Sequence, residues 1–249
     1  MNKFMGFFLL LVLYMARCLA GPVEIERVED DPELTSGFYE GDMEVDFTRN
    51  GAVDTAKRWP NGVVRFKIQP GFDVNHTLYI LQGMKTIESV SCIRFRHATA
   101  TTKAFVRING NTNGCSARVG YTGAEQNLNL RIGPLDKGCF RKGSIMHELL
   151  HSLGFYHQQR AADRDNYIRI VWNNILEDKK QNFNKFKSSV VTDFGVAYDY
   201  GSVLHYGPKA FSKNGKDTII PLKGENTKIG QRLALSDGDI KKLNKMYKC

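Results

Sequence analysis

A short run near the middle of the chain has the residue types and spacing to hold a metal ion and move a proton. Residues 147–151 read His-Glu-Leu-Leu-His, and the run continues through Gly154 to His157. Positions i and i+4 lie on one face of a helix, one turn apart, so His147 and His151 can grip one ion. Glu148 directly follows the first of them, within reach of a water on that ion. Zinc suits such a set, because imidazole is a good ligand and the ion takes a tetrahedral site with one place open. It lowers the pKa of a bound water to about 7 and polarises a carbonyl as a Lewis acid. Glu148 would accept the water's proton and pass it to a leaving amine. Two histidines on a helix would also fit an ordinary surface. Gly154 changes the balance: it can take the left-handed conformation that ends a helix. The chain then turns back, and His157 arrives as a third ligand.

Several elements must position this run. A helix over residues 144–153 carries the first two histidines. The cluster Trp59-Pro60-Asn61-Gly62 is a turn before 63–69, which alternates as a strand does. Residues 92–97, 103–109 and 127–132 read as further strands. Residues 77–90 fit a helix with Asn75 as N-cap, and 174–186 fit another. Ser236-Asp237-Gly238-Asp239 is a capping-box start for a last helix reaching Tyr247. Strands and helices mix without βαβ alternation, which favours an α+β fold over a doubly wound sheet.

Charge and cysteines describe where such a chain works. Lys3, an apolar run over 4–15 and Cys18-Leu19-Ala20 read as a signal peptide removed before Gly21. The apolar run falls short of the ~20 residues that span a bilayer, so secretion is expected and a membrane anchor is not. Cys92, Cys115, Cys139 and Cys249 then form an even set, and two disulfides are expected among three possible pairings. Residues 21–49 carry ten acids and two bases, a net charge of −8. The signal carries +2, so the whole-chain value of +9 leaves +15 on residues 50–249. An acidic leader before a basic body suggests that the leader rests on the body. Acidic matrix polymers are further candidate partners of the basic body, and no nucleic-acid motif accompanies its charge. Asn75-His76-Thr77 is a glycosylation sequon.

HELLHSLGFYH resembles the metzincin signature HExxHxxGxxH. Gly154-Phe155, Asp163-Arg164-Asp165-Asn166-Tyr167 and Ser202-Val203-Leu204-His205-Tyr206 are similar to astacin motifs. The resemblance runs from about Asn50 to Cys249. It implies a secreted, zinc-dependent endopeptidase made as a zymogen, in the compact form with a single catalytic domain; monomer is the default expectation for its oligomeric state. It also implies the metzincin architecture: a mixed twisted sheet with the active-site helix above the cleft, and an irregular lower subdomain ending in a C-terminal helix.

The same resemblance assigns roles. Tyr206 would be a further zinc ligand in the resting enzyme, swinging away to stabilise the oxyanion. Tyr39-Glu40-Gly41-Asp42 is similar to the family's F-x-G-D element, with Asp42 as the latch on zinc. Cleavage at Arg49-Asn50 would divide an acidic propeptide (21–49) from the catalytic domain (50–249). The implied disulfides are Cys92–Cys249 and Cys115–Cys139. Substrate would bind extended, along a sheet edge formed by 127–132. Arg232, in Ile229-Gly230-Gln231-Arg232, would favour Asp or Glu just beyond the scissile bond, against its alternative as a solvated surface arginine. The sequence departs from the family at Leu204, where methionine is usual. It departs again at Gln158, where glutamate usually pairs with the mature N-terminus, and at Arg160 and Ala161. A protease fold that had become a mere binding module is the rival expectation, yet His147, Glu148, His151, His157 and Tyr206 are all present.

Overall fold

Alternation builds the main sheet. In strand β2 (Val63–Ile68), Val64 and Phe66 are buried while Arg65 between them is exposed. The computed structural model describes residues 31–45, 55–224 and 226–249. The signal peptide and the Arg49-Asn50 bond lie outside the described residues. Besides β2, the sheet contains β1 (Met43–Glu44), β3 (Arg94–His97), β4 (Phe105–Asn109), β5 (Cys115–Arg118) and β6 (Glu125–Leu130). The strand order is β1-β5-β6-β4-β2-β3, and every neighbouring pair is parallel except β5–β6.

This order corrects one expectation. The strand read at 127–132 is β6, and it is interior, bonded to β4 on one side and β5 on the other. The edge beside it is β5, whose outer side is taken by β1 of the leader, with Met43 opposite Ala117 and Glu44 opposite Arg118. Alternation reports which side chains are buried; it carries no information on which strand lies next to which.

Helix α1 (Val74–Ser89) buries Ile80, Gly83, Met84 and Ile87, the i, i+3, i+4, i+7 stripe of a helix on a sheet. Its N-cap is Asp73, whose carboxylate accepts from His76 N at 2.8 Å; Asn75 instead lies exposed in the first turn. The carboxylate one residue before the helix wins because only an N-cap side chain faces the free amides of the first turn. Helix α2 (Lys142–Ser152) is buried at every position from Gly143 to Ser152. It can be so because α1 comes close at Gly83, where a Cβ would stand 2.7 Å from Ile145.

Below α2 the chain is irregular. The helix expected over 174–186 is instead a 3-10 turn at Trp172–Asn174 and a 3-10 segment at Glu177–Phe183. Its apolar anchors, Ile175 and Phe183, stand at the two ends with only polar residues between Leu176 and Phe183, so no stripe exists to hold an α-helix. Strands β7 (Ile168–Ile170) and β8 (Ile219–Pro221) pair antiparallel there. Helix α3 (Asp237–Tyr247) starts with the Ser236–Asp239 capping box. One disulfide, Cys92–Cys249, ties the end of the chain to the start of β3, and Cys115–Cys139 ties β5 to the approach to α2.

One apolar cluster joins the sheet, α1, α2 and the inner face of α3, and includes Trp59, Ile108, Leu149, Leu243 and Met246. A second, around Ile168, Phe183, Tyr198, Tyr206 and Phe211, forms the lower half. The histidines of α2 look into the seam between them. No helix among the described residues is long and apolar enough to cross a membrane.

Candidate metal centre

Helix α2 sets His147 and His151 one turn apart, with ring centroids at 4.6 Å. The helix closes at Gly154, whose φ is +102°. Gly154 N donates to His151 O at 2.8 Å and Phe155 N to Leu150 O at 3.1 Å, satisfying the last carbonyls. The reversal brings the ring of His157 to 4.8 Å from that of His151 and 5.2 Å from that of His147.

The outer nitrogens fix the tautomers. His147 Nδ1 lies 2.8 Å from Val203 O, and His151 Nδ1 lies 2.8 Å from Phe155 O. A carbonyl only accepts, so each Nδ1 carries the proton and each Nε2 presents a lone pair. His157 Nδ1 donates likewise to Glu40 Oε2 at 2.9 Å. The Nε2 atoms therefore face one another, with His147 at 2.9 Å from His151 and 3.3 Å from His157. Three converging lone pairs at that spacing repel unless a cation lies among them. Asp42 completes the group: its Oδ2 is 3.1 Å from His147 Nε2 and 3.3 Å from His157 Nε2. One ligand atom from each of Asp42, His147, His151 and His157 lies within 4.8 Å of all the others, and all four residues are buried. Asp42 Oδ1 and both oxygens of Glu148 are buried without a hydrogen-bond partner. Orphaned carboxylate oxygens around nitrogen lone pairs are the donor set that zinc accepts.

The two carboxyls shift in opposite directions. Burial, reinforced by Asp42 and Glu33, holds Glu148 well above the usual carboxylate range. Burial acts the same way on Asp42, but positive charge among the imidazoles, carried by His157 and His151 whenever those rings are protonated, outweighs it and holds the carboxyl well below that range.

The floor of the site is a turn pinned by bonds from α3 and from Gln158. Asp239 of α3 accepts from Ser202 Oγ at 2.6 Å and from Val203 N at 2.9 Å. Leu204 O accepts from Gln158 N at 3.0 Å. The Gln158 side chain accepts from Lys242 Nζ, so a cation of α3 stands beside the neutral amide. His205 is no ligand: Tyr198 OH and Tyr206 O engage its two nitrogens, and burial pushes its pKa down to about 4. Tyr206 lies against His157, ring to ring at 4.7 Å, but its hydroxyl donates to the carbonyl of Glu40. With the leader docked, that hydroxyl is therefore not turned to the metal group.

The leader lies across the whole site. Asp31 pairs with Arg141 at 3.1 Å, and Glu33 with Arg232 at 2.6 Å. Glu40 pairs with Arg160 as well as His157. Gly41, with φ +100°, lets the backbone fold so tightly that a Cβ would stand 2.5 Å from Glu33 O. Arg232 is not a surface residue: it is 8% exposed and also donates to His205 O at 3.1 Å. Asp42, the three histidines, Glu148, Tyr206 and Arg232 thus meet in one place, whereas Asn75 stands apart on α1. Glu33, Glu40, Arg160, Asp239 and Lys242 are additions that the motifs did not single out as site groups. The dense acids of the leader were the available signal for the first two.

The sequence model of the astacin peptidase family matches residues 51–248. Seminal metalloprotease 1 of Drosophila melanogaster is 44% identical over 235 residues, which covers 92% of this chain and 93% of that protein. Zinc metalloproteinase nas-4 of Caenorhabditis elegans is 33% identical over 235 residues, covering 90% and 72%. Among solved structures, high choriolytic enzyme 1, a hatching enzyme zinc-protease of the medaka fish Oryzias latipes, aligns with a TM-score of 0.70 at 36% identity. That alignment covers 77% of this chain and 93% of the other.

Proposed function

The chain belongs to the astacin family of zinc metallopeptidases, and from that premise we propose that it is a secreted zymogen that hydrolyses internal peptide bonds with Glu148 as general base. One observation carries the proposal: Asp42 of the acidic leader stands against the same Nε2 atoms that form the metal group, while Glu148 beside them is buried with both oxygens unpartnered.

In this reading residues 1–20 are the signal, 21–49 the propeptide and 50–249 the catalytic domain, with activation at Arg49-Asn50. His147, His151 and His157 hold zinc, which when bound supplies a Lewis acid for the scissile carbonyl and acidifies the attacking water. Asp42, against the same Nε2 atoms, would complete the set of residues holding the ion until the leader is removed. Glu148, buried beside the site with both oxygens unpartnered, would take the proton of the water and return it to the leaving amine. The hydroxyl of Tyr206, freed from Glu40 O, would be available as a further ligand at rest and as a donor to negative charge developing on the substrate. Substrate replaces β1 on the edge of β5, in place of the edge first expected at 127–132. Arg232, released from Glu33, binds an acidic side chain just beyond the scissile bond. Four paired cysteines suit an oxidising compartment.

The test is hydrolysis of a denatured protein by the leader-free chain. Cleavage should be abolished by chelator, restored by zinc and lowered about 10²–10⁴-fold in Glu148→Gln, and the uncut chain should be silent. A zinc-loaded, leader-free chain that cleaves nothing would overturn the proposal.

A further inference from the structure

Arg160 is buried, and its bonds divide between the body and the leader. From the body come its fixings: Nε donates to Asn184 O, the guanidinium lies 3.9 Å over the ring of Phe186, and Phe186 N donates to Arg160 O at 2.9 Å. From the leader come both acceptors of its Nη1, the Tyr39 hydroxyl and Glu40 Oε1. Removing the leader would leave the guanidinium held in place, with its outward nitrogen stripped of oxygen partners. A fixed, stacked guanidinium in a cleft is a carboxylate site, because its planar fork is already oriented and loses little freedom on binding.

His157 repeats the division. His147 and His151 find their Nδ1 acceptors on the body, at Val203 O and Phe155 O. His157 finds its acceptor on the leader, at the other oxygen of the same Glu40 carboxylate. One carboxylate therefore bridges Arg160 and a metal-ligand imidazole, and the departing leader takes it away from both. The Glu33–Arg232 pair lies on the His147 side of the site, with Glu33 Oε2 3.7 Å from His147 Nδ1.

We infer that Arg160 is a second carboxylate-recognising position of the mature cleft, on the His157 side, and that substrates with an acidic residue there are preferred. The inference deepens the proposed protease function and rests on it. Glu40 is then the leader's imitation of that substrate side chain.

Two measurements on the leader-free enzyme test it, with wild type, Arg160→Gln, Arg160→Lys and Arg232→Gln. The first is calorimetric binding of a peptide of residues 38–44, with Glu or Gln at position 40. Wild type should favour the Glu peptide by roughly tenfold, as a charge-assisted bond predicts, and Arg160→Gln should lose most of that ratio. The second is cleavage of a peptide set bearing Glu or Gln at each position around the cut. One position should show a Glu-over-Gln ratio of kcat/KM that survives Arg232→Gln and collapses in Arg160→Gln. Arg160→Lys should retain part of it; this variant reports if Arg160→Gln does not fold. Ratios unmoved by both Arg160 variants, with or without a fall in melting temperature, overturn the inference and leave the protease standing. A wild type that cleaves none of the peptides overturns both.

Discussion

Arg232 and Glu33 form a buried ion pair, Nε to Oε2 at 2.6 Å, although 199 residues separate them in the sequence. Burial alone would raise the Glu33 carboxyl, but Arg232, with His147 and Arg141, holds it down at about 2. Glu33 and Asp42 bracket His147, one facing each ring nitrogen. Two of the leader's fastenings thus flank one imidazole: Asp42 on the metal group, and Glu33 on the Arg232 cation beside it.

Glu33→Gln should loosen the leader while leaving Asp42 against the three histidines. Losing one partner leaves the other charge buried and uncompensated, a cost of roughly 3–5 kcal/mol. The uncut variant should lose its leader to a probe protease faster than wild type and show activity against a small peptide. Unchanged sensitivity and silence would mean that the Glu33–Arg232 pair holds nothing.

Asp42→Ala should also give an uncut chain that leaks activity, because the carboxylate at the three Nε2 atoms is gone. Gly41→Ala should leak by a different route. Its side chain would meet Glu33 O at 2.5 Å on a backbone with φ +100°, forcing apart the two leader segments that meet at Gly41 and Glu33. Hydrolysis of a quenched peptide by the uncut variants reads both. Full silence of Asp42→Ala would count against the latch.

Glu148→Gln removes the base while keeping the shape. Neither oxygen of Glu148 has a protein partner, so little structure depends on its charge. Turnover should fall by about 10²–10⁴-fold, while zinc content by metal analysis stays at one per chain. A variant that loses its metal would show that Glu148 supports the site instead of acting in it.

Much of this centre was legible because helical geometry is local. His147, Glu148 and His151 need only the i, i+4 rule, and His157 needs only a glycine that can take positive φ. The capping box at Ser236 was legible for the same reason. What failed was non-local or competitive. The neighbours of β6 depend on how β5 folds back, which no alternation records. Asp73 took the cap from Asn75 by standing one residue before the helix. The 174–186 segment had helical length but no apolar stripe. Arg160 and Glu40 meet across 120 residues, and neither type predicts the other.

Leu204 is the last departure with a measurable consequence. Methionine is usual there in the family, and its loss raises the question of whether the floor of the site survives. The turn is fixed by backbone bonds: Leu204 N donates to Ser202 Oγ at 3.1 Å, and Leu204 O accepts from Gln158 N at 3.0 Å. Asp239 pins the preceding residue. None of these bonds involves the side chain at 204, which is 4% exposed and lies in the upper apolar cluster. Leucine and methionine have similar volumes, so Leu204→Met should change stability by less than about 1.5 kcal/mol, with zinc content unaltered. Leu204→Ala leaves a cavity instead and should cost about 2–5 kcal/mol. Thermal melts and kcat/KM of the three proteins decide the point. An inactive wild type restored by Leu204→Met would show that sulfur, and not volume, is what the floor requires.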